Sequence, residues 1–481
     1  MTTATRLSSF FSREQARCPT CLERIPRGAD PCPECGESTK LPVPSASRLS
    51  IADDPPGASW LHMHWRPLVT LGAIGALILT GVILRHLAPD RFAPSRAASA
   101  RATVPTCPSP CWNGEACQLG RCVWQKPNDV GHLAAVPSVS GPFPLPKDAS
   151  DTLLLDDERF AVALLSGAQI RSARTGEVLS LLSEAPQARR LHRVGDMVYA
   201  TAPQRIYVFH AGTPRVLKTI EVGSLVGDLV PDPSGRRVLA SLPAAHAVAI
   251  IATEYHAEID RIQFGDDPVG PLAVDDSGAR AITTTGQVPL AGLRDPAGGA
   301  VYAFDPSRLG WDQDRVRASQ LGNPVSVLMT PDGDLSLVAL RAESALVPLR
   351  WQPSGAIRQE GDRIPTCREP EHIDLVRSER RAILRCNEGR AIQVLDLTQL
   401  TALQTIELHG RAADLAVSPD NAQAAVAVNS EGAGSLALID LRTYAVSTVP
   451  LGAEPTRVSF SPDGRAVIAL SERSKVTWVI R

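Results

Sequence analysis

Four cysteines near the amino terminus have the spacing of metal ligands. They form two Cys-Pro-x-Cys pairs separated by ten residues, Cys18 with Cys21 and Cys32 with Cys35. Four thiolates at this spacing bind one Zn²⁺ ion tetrahedrally, and a site with four protein ligands has no open position for catalysis. We therefore predict a structural zinc site at these cysteines. Iron in the same site, or a pair of disulfide bonds, are the alternatives.

The segment around these cysteines is too small to fold without its metal. Residues 17–40 bury little apolar surface, so metal binding would supply the free energy of folding. The second pair with its neighbours, CPECG, resembles the zinc ribbon family, and the resemblance implies structural zinc. Residues 1–16 are predicted to be disordered, and residues 41–59, rich in Pro, Ser and Ala, are predicted to be a linker.

An apolar run without charged residues follows the linker. Residues 67–84 read PLVTLGAIGALILTGVIL. A helix of this length spans about 27 Å, close to the ~30 Å hydrocarbon core of a bilayer. We predict a single transmembrane α-helix over residues 65–88, with a buried core helix as the alternative. Gly72, Ala76 and Thr80 recur every four residues, a pattern that can let two helices approach closely and form a homodimer. The alternative is that Gly and Ala are simply common in membrane helices.

The cysteines on the two sides of this predicted helix require different redox conditions. Thiolates that bind metal need a reducing compartment, whereas the cysteines after the helix are spaced like those of a disulfide-bonded module. We therefore expect a bacterial inner-membrane protein with a cytoplasmic amino terminus, an unknown cytoplasmic partner for the zinc ribbon, and a periplasmic or extracellular carboxyl-terminal part. The arginines that follow the apolar run favour the opposite orientation.

A second group of cysteines follows a predicted linker at residues 89–105. Cys107, Cys111, Cys117 and Cys122 lie in a short, turn-rich stretch, CPSPCWNGEACQLGRC. Two disulfide bonds would hold this stretch together, with three possible pairings between which the sequence does not distinguish. A second metal site is the alternative. Residues 106–124 resemble an EGF-like fragment, and the resemblance implies a small disulfide-rich module.

One phrase recurs eight times in the rest of the chain: a short apolar strand, a polar turn with Asp, Gly or Ser, and a second strand. Regular recurrence of this kind indicates an array of structural repeats. Third and fourth strands follow, and four antiparallel strands in about 44 residues make the blade of a β-propeller. The phrases SPDGRAVIAL and SLALIDL resemble the YVTN family of propellers, which implies the fold but not the function.

We therefore predict that residues 131–481 form an all-β propeller of eight blades, with seven as the alternative. Turn geometry favours Asp and Gly, so Asp332, Asp420 and Asp463 are interpreted as structural turn residues. The last repeat ends at VTWVIR, its third strand, so its fourth strand is expected from residues 132–142. Closing the ring in this way would leave the end blades without open edges.

Two further cysteines test this arrangement. Cys367 precedes the first strand of the sixth repeat and Cys386 ends its second strand, so antiparallel pairing brings them to the same rim. We predict a disulfide bond between them, with Cα atoms within about 7 Å.

The sequence favours binding over catalysis. A net charge of −2 argues against nucleic acid as a partner, and the repeats contain neither a Ser-His-Asp arrangement nor a Gly-rich phosphate loop. Long loops on a rigid scaffold often carry binding residues, and the longest loop between second and third strands is residues 286–299. We predict a non-catalytic protein that binds a protein or glycan around four residues of this loop, Leu290, Leu293, Arg294 and Asp295.

Two other functions are alternatives. The first is a transmembrane regulator or sensor that acts through dimerisation. The second is a propeller enzyme of the quinoprotein or lactonase-like type.

Overall fold

The computed structural model describes two short paired strands near the amino terminus and most of the chain after residue 106. The described residues are 16–17, 24–25, 107, 111–112, 114–118, 121–126, 130–134, 136–285, 299–309, 316–352, 356–387 and 389–481. For 16–17, 24–25 and 316–320 only the backbone is described. The chain divides into two units, Met1–Ala100 and Arg101–Arg481.

Two short strands are described in the first unit. Strand β1, Ala16–Arg17, pairs antiparallel with β2, Arg24–Ile25. The first predicted pair of zinc ligands, Cys18 and Cys21, lies in the connection between these strands. All four predicted ligands, these two with Cys32 and Cys35, lie outside the described residues, so zinc binding by the ribbon stays a prediction.

The structure does not support the predicted transmembrane helix. Residues 65–88 lie outside the described residues, and among those that the structure describes no helix is long and apolar enough to cross a membrane. Over the described residues the fold class is therefore an all-β propeller, and the predictions of a transmembrane α-helix and of the inner-membrane localisation inferred from it are contradicted. The prediction depended on the length of the apolar run and on its lack of charge, and these two features alone do not determine that a segment crosses a membrane as a helix.

Eight sheets of the second unit form the eight blades of a propeller, as the repeat count predicts. Blades 1 and 2 consist of β6 (Ala149–Leu154), β7 (Arg159–Leu164), β8 (Gly167–Ser172), β9 (Val178–Leu182), β10 (Arg190–Val194), β11 (Met197–Thr201), β12 (Arg205–His210) and β13 (Thr213–Glu221). Blades 3 and 4 consist of β14 (Leu229–Pro231), β15 (Arg237–Leu242), β16 (Ala247–Ala252), β17 (Ala257–Gln263), β18 (Val269–Val274), β19 (Ala281–Thr285), β20 (Ala300–Phe304) and β21 (Val316–Gln320).

The second half of the ring repeats this plan. Blades 5 and 6 consist of β22 (Pro324–Met329), β23 (Leu335–Leu340), β24 (Ala345–Trp351), β25 (Ile357–Gln359), β26 (Ile364–Pro365), β27 (Pro370–Val376), β28 (Arg381–Cys386), β29 (Ala391–Asp396) and β30 (Thr401–Glu407). Blades 7 and 8 consist of β31 (Arg411–Val417), β32 (Gln423–Ser430), β33 (Ala433–Asp440), β34 (Val446–Pro450), β35 (Arg457–Phe460), β36 (Val467–Ser471), β37 (Val476–Ile480) and β5 (Val139–Pro144). Two single-turn 3₁₀ helices are Pro243–Ala245 and Arg377–Glu379.

The ring is closed by a strand that precedes the first blade, as predicted. Strand β5 pairs antiparallel with β37, the last strand of the chain, and Thr477 lies opposite Phe143. The observed strand, Val139–Pro144, begins later than the predicted range of 132–142. Because residues from both ends of the propeller build blade 8, the ring holds its own ends together.

Hydrophobic clusters occupy the spaces between neighbouring blades. Eight such clusters are found among the described residues, one for each pair of neighbouring blades. The cluster between blades 8 and 1 contains Phe143, Phe160 and Ile468, none more than 8% exposed. Burying each such side chain contributes about 1.5–3 kcal/mol. The core is therefore a closed circle of inter-blade contacts.

The first strand of each blade lies innermost and the fourth lies outermost. Strand β36 is fully buried, whereas all of β30 except Ile406 is exposed. Below, the upper rim is the end of the ring at which the first strands begin and the second-to-third turns lie. The lower rim is the end that carries the first-to-second turns. The turn aspartates lie at the lower rim and are structural, as predicted: Asp463, for example, accepts a hydrogen bond from Ser461 Oγ at 2.5 Å within its own turn.

Candidate functional site at the upper rim

The disulfide bonds that the sequence predicts are present. Cys367 bonds to Cys386 with a Cα separation of 6.0 Å, within the predicted limit. In the earlier group Cys107 bonds to Cys117 and Cys111 to Cys122, which is one of the three possible pairings. All four cysteines of that group are therefore bonded, which leaves none of their thiolates free for the alternative metal site.

The disulfide module, residues 107–124, packs against the lower rim of the propeller. It contains a hairpin of β3 (Glu115–Gln118) and β4 (Arg121–Trp124). Trp112 is only 6% exposed and belongs to the hydrophobic cluster between blades 5 and 6. Its indole Nε1 donates a hydrogen bond to Asp332 Oδ2 at 2.8 Å, and Arg380 stacks on its ring at 4.6 Å. The module is thus part of the folded core.

Three further contacts extend this docking along the lower rim. Glu115, nearly inaccessible to solvent, binds Arg380 at 2.9 Å. Further along, His132 Nδ1 lies 2.6 Å from Asp420 Oδ2 in blade 7, and Gly131 N donates to Asp463 O in blade 8 at 2.7 Å. The segment before β5 therefore covers the lower rim from blade 5 to blade 8.

Side chains near the axis tie the blades together in pairs. The acceptors lie in blades 1, 3, 5 and 7, and each receives a backbone N–H from the first strand of the next blade. The four bonds are Leu191 N to Asp151 Oδ2 (2.9 Å), Leu272 N to Asp228 Oδ2 (3.0 Å), Ile373 N to Ser326 Oγ (3.4 Å) and Val458 N to Asp414 Oδ2 (3.0 Å). Buried carboxylates require such partners. The three aspartates among these acceptors therefore have a structural role.

The titratable groups near the axis are shifted mainly by burial. Burial raises the pKa of Asp151 to about 6, with a smaller lowering by the charge of Arg457. Burial also raises the pKa of Asp228 and of Asp414, and it lowers the pKa of His192 to about 4. In each case burial disfavours the charged form.

A cleft opens at the upper rim where blades 8, 1 and 2 meet. Its volume is about 380 Å³. Its apolar part includes Leu165, Leu225 and Val226. Its charged part consists of five basic and two acidic side chains: Lys147, Arg189, Arg190, Arg457, Lys475, Asp148 and Glu472. A smaller cavity of about 170 Å³ continues toward the axis and shares Arg190 and Arg457 with the cleft.

The predicted binding loop is not the feature that forms this cleft. Leu290, Leu293, Arg294 and Asp295 lie outside the described residues, so binding by that loop stays a prediction. The cleft lies at the same upper rim but in other blades. Sequence reasoning missed its residues, although the adjacent pair Arg189-Arg190 directly before β10 was a local signal of positive charge at a rim.

Comparisons with known proteins do not assign the chain to a family. No protein-family model matches the chain, and no curated protein matches it. The Cps50 (Swd1) β-propeller domain of Myceliophteria thermophila is 13% identical over 61% of this chain and 95% of that chain, with a TM-score of 0.48. A functionally unknown protein from Desulfotomaculum acetoxidans is 15% identical over 61% and 95%, with a TM-score of 0.46.

A third solved structure with similarity to the chain is hydrazine synthase of Kuenenia stuttgartiensis. It is 16% identical over 73% of this chain and 99% of that chain, with a TM-score of 0.42. The eight-bladed architecture is established by the strand pairing of the chain itself.

Proposed function

We propose that the propeller is a non-catalytic interaction domain that binds a partner protein through its upper rim. The observation that carries this proposal is the open cleft between blades 8, 1 and 2, where five basic side chains, two exposed and three half-buried, surround apolar ones. Concave surfaces that combine apolar area with a few charged groups are typical binding sites. A protein is favoured over a neutral glycan because the cleft is charged.

The use of the other rim supports the same proposal. The chain's own disulfide module occupies the lower rim at blades 5 and 6, where Trp112 fills a hydrophobic pocket and Glu115 binds Arg380. A partner at that position would have to displace a buried tryptophan and a buried ion pair. Among the residues that the structure describes, no segment docks in the upper cleft in this way.

The chemistry of the inner strands also favours binding over catalysis. One oxygen of Asp151, of Asp228 and of Asp414 accepts a backbone N–H of the next blade, so a structural role accounts for the burial of these carboxylates without a catalytic one. Their raised pKa values follow from burial between strands.

Site-specific photocrosslinking tests the proposal. A benzophenone amino acid is placed at Leu165 in the upper cleft and, as the control, at Leu179 on the outer strand of the same blade. The two leucines are matched, with exposed fractions of 54% and 55%. We expect a protein adduct from Leu165 and none from Leu179 in cells that express the full chain. Equal labelling from both positions, or an adduct that glycosidase removes and protease does not, would contradict the proposal.

A further inference from the structure

The cleft at the upper rim is a local positive region on a chain whose net charge is −2. Five basic and two acidic side chains line it, which leaves a local net charge of +3 at neutral pH. Residues from both ends of the propeller contribute, because ring closure brings Lys147 of the first blade close to Arg457 and Lys475 of the last. A concave region of one sign attracts ligands of the opposite sign.

Two of these basic groups are already used within the fold. Arg457 Nε lies 2.7 Å from Glu472 Oε1, and Lys475 Nζ donates to Ala149 O at 2.7 Å. Asp148 is also occupied, since its Oδ2 accepts hydrogen bonds from the backbone N–H and the hydroxyl of Ser166, each at 3.1 Å. The acidic residues of the cleft are thus engaged with neighbours.

The other three basic residues of the cleft have no such partner among the residues that the structure describes. Within the part of the chain that the structure describes, no carboxylate lies within ion-pair distance of Lys147, Arg189 or Arg190. Lys147 and Arg189 are exposed, and Arg190 is half-buried at the entrance to the smaller cavity. Three unpaired cations around a cleft on a slightly acidic chain indicate an anionic ligand.

The lining limits where the ligand's charge lies. Leu165, Leu225 and Val226 offer apolar contact beside the basic groups. Toward the axis, the smaller cavity is lined by the carboxyl groups of Asp151 and Asp414, which would repel an anion. A ligand that fits both parts would therefore place a negative group at the mouth and an apolar group on Leu165 and Leu225.

We propose that the cleft binds an acidic segment of the partner protein, in which carboxylates contact Lys147, Arg189 and Arg190 and an adjacent apolar side chain packs on Leu165 and Leu225. This inference rests on the proposed function and names the chemistry of the partner. A peptide is favoured over a single phosphate group because the unpaired cations come from two blades and the apolar lining has no use for an inorganic ion.

Fluorescence anisotropy with the full chain tests this inference. The probe is a short fluorescein-labelled peptide in which glutamates flank a leucine, and its counterpart has glutamine at each glutamate. We expect the glutamate peptide to bind at least about tenfold more tightly at low ionic strength, with the difference decreasing as salt is added. Equal binding of the two peptides would overturn the inference. So would full displacement of the glutamate peptide by inorganic phosphate at the same ionic strength.

Matched charge reversals locate the binding. Arg189→Glu changes an exposed arginine in the cleft, and Arg236→Glu makes the same change at an exposed arginine in the lower-rim turn of blade 3. We expect Arg189→Glu to weaken binding of the glutamate peptide by about tenfold or more, and Arg236→Glu to change it less than about twofold. Equal weakening by both would mean that overall charge, not the cleft, determines binding.

The two proposals fail in different ways. If the Leu165 crosslink persists in the Arg189→Glu variant while the peptide result is negative, the partner binds the upper rim without acidic contacts. If the chain without Arg189→Glu forms no protein adduct at Leu165, the proposed function itself is contradicted.

Discussion

The two rims of blades 8, 1 and 2 carry opposite charge. The upper cleft has an excess of basic groups, whereas the hollow beneath it at the lower rim is lined by Asp156, Asp157, Glu158 and Asp463 with two arginines. Burial and the charge of Asp463 raise the pKa of Asp157. In the lower hollow Asp156 binds Arg159 at 2.5 Å, so charges there form pairs across a turn.

The rims differ in whether their side chains are bound within the fold. At the lower rim, turn aspartates bind their own turns, Arg380 binds Glu115, and Trp112 fills a pocket. At the upper rim, Lys147 and Arg189 have no carboxylate within ion-pair distance among the described residues. Substitutions at the lower rim should therefore change stability, and substitutions at the upper rim should change binding.

The largest effect is expected from Trp112→Ala. The substitution removes a side chain that is 6% exposed and leaves Asp332 Oδ2 without its indole donor. We expect a loss of about 3–5 kcal/mol in the free energy of unfolding, measured with denaturant. Val123→Ala in the same module, at a residue that is 39% exposed, is the control and should change stability little. A loss below about 1 kcal/mol for Trp112→Ala would mean that the module is not docked.

The next effect is expected from removing the disulfide bond of blade 6. Cys367 and Cys386 are separated by 19 residues, and closing a loop of this length contributes about 3 kcal/mol by constraining the unfolded chain. The double variant Cys367→Ala, Cys386→Ala should lose about this amount under oxidising conditions. The difference from the unsubstituted chain should disappear when both are measured with a reducing agent. A difference that persists would point to packing instead.

Between the two rims, Asp151→Asn should change the pH dependence of stability. Since burial raises the pKa of Asp151 to about 6, the folded state holds a proton between about pH 4 and pH 6 that the unfolded state releases. The contribution of Asp151 to stability therefore falls as pH rises through this window, by up to about 3 kcal/mol. The asparagine variant should gain by this amount relative to the unsubstituted chain from pH 4 to pH 7.

His192→Gln supplies the opposite control. Burial lowers the pKa of His192 to about 4, so the unfolded state binds a proton between about pH 4 and pH 6.5 that the folded state does not. The contribution of His192 to stability therefore rises with pH. As pH rises from about 4 to about 6.5, the glutamine variant should therefore lose stability relative to the unsubstituted chain. If stability changed with pH to the same extent in the two variants, burial would not be the cause of the opposite pKa shifts of Asp151 and His192.

The smallest effect on stability is expected at the upper rim. Arg189 is exposed and makes no ion pair within the described part of the chain. Arg189→Glu should change the free energy of unfolding by less than about 0.5 kcal/mol, although it is expected to weaken peptide binding. A large loss of stability in this variant would mean that Arg189, like the lower-rim residues, stabilises the fold, and would contradict the contrast between the two rims.

The repeats made the architecture predictable, because each one contains its own strands and turn. Eight phrases predict eight blades, and the missing fourth strand predicts closure by a segment before the first blade. The bond between Cys367 and Cys386 followed from the same strand order. In contrast, the contradicted prediction of a transmembrane helix depended on the length and apolar character of one segment, with no repeat or strand pairing to support it.

The candidate site depends on contacts that local sequence does not encode. Lys147 and Lys475 line one cleft only because the ring closes. Trp112 reaches Asp332 across 220 positions of sequence, and the pairing of Cys107 with Cys117 was one of three equivalent choices. Local patterns determine which strands form, while the long-range packing that builds the cleft and docks the module becomes visible only in the folded ring.

The claim that the upper rim is the binding surface is tested most directly by hydrogen–deuterium exchange of the full chain with and without the partner recovered through the Leu165 crosslink. We predict slower exchange in the bound state at residues 188–191 and 224–227, which border the cleft, and no change at residues 111–134 along the lower rim. Slower exchange confined to residues 111–134 or 155–159 would contradict it.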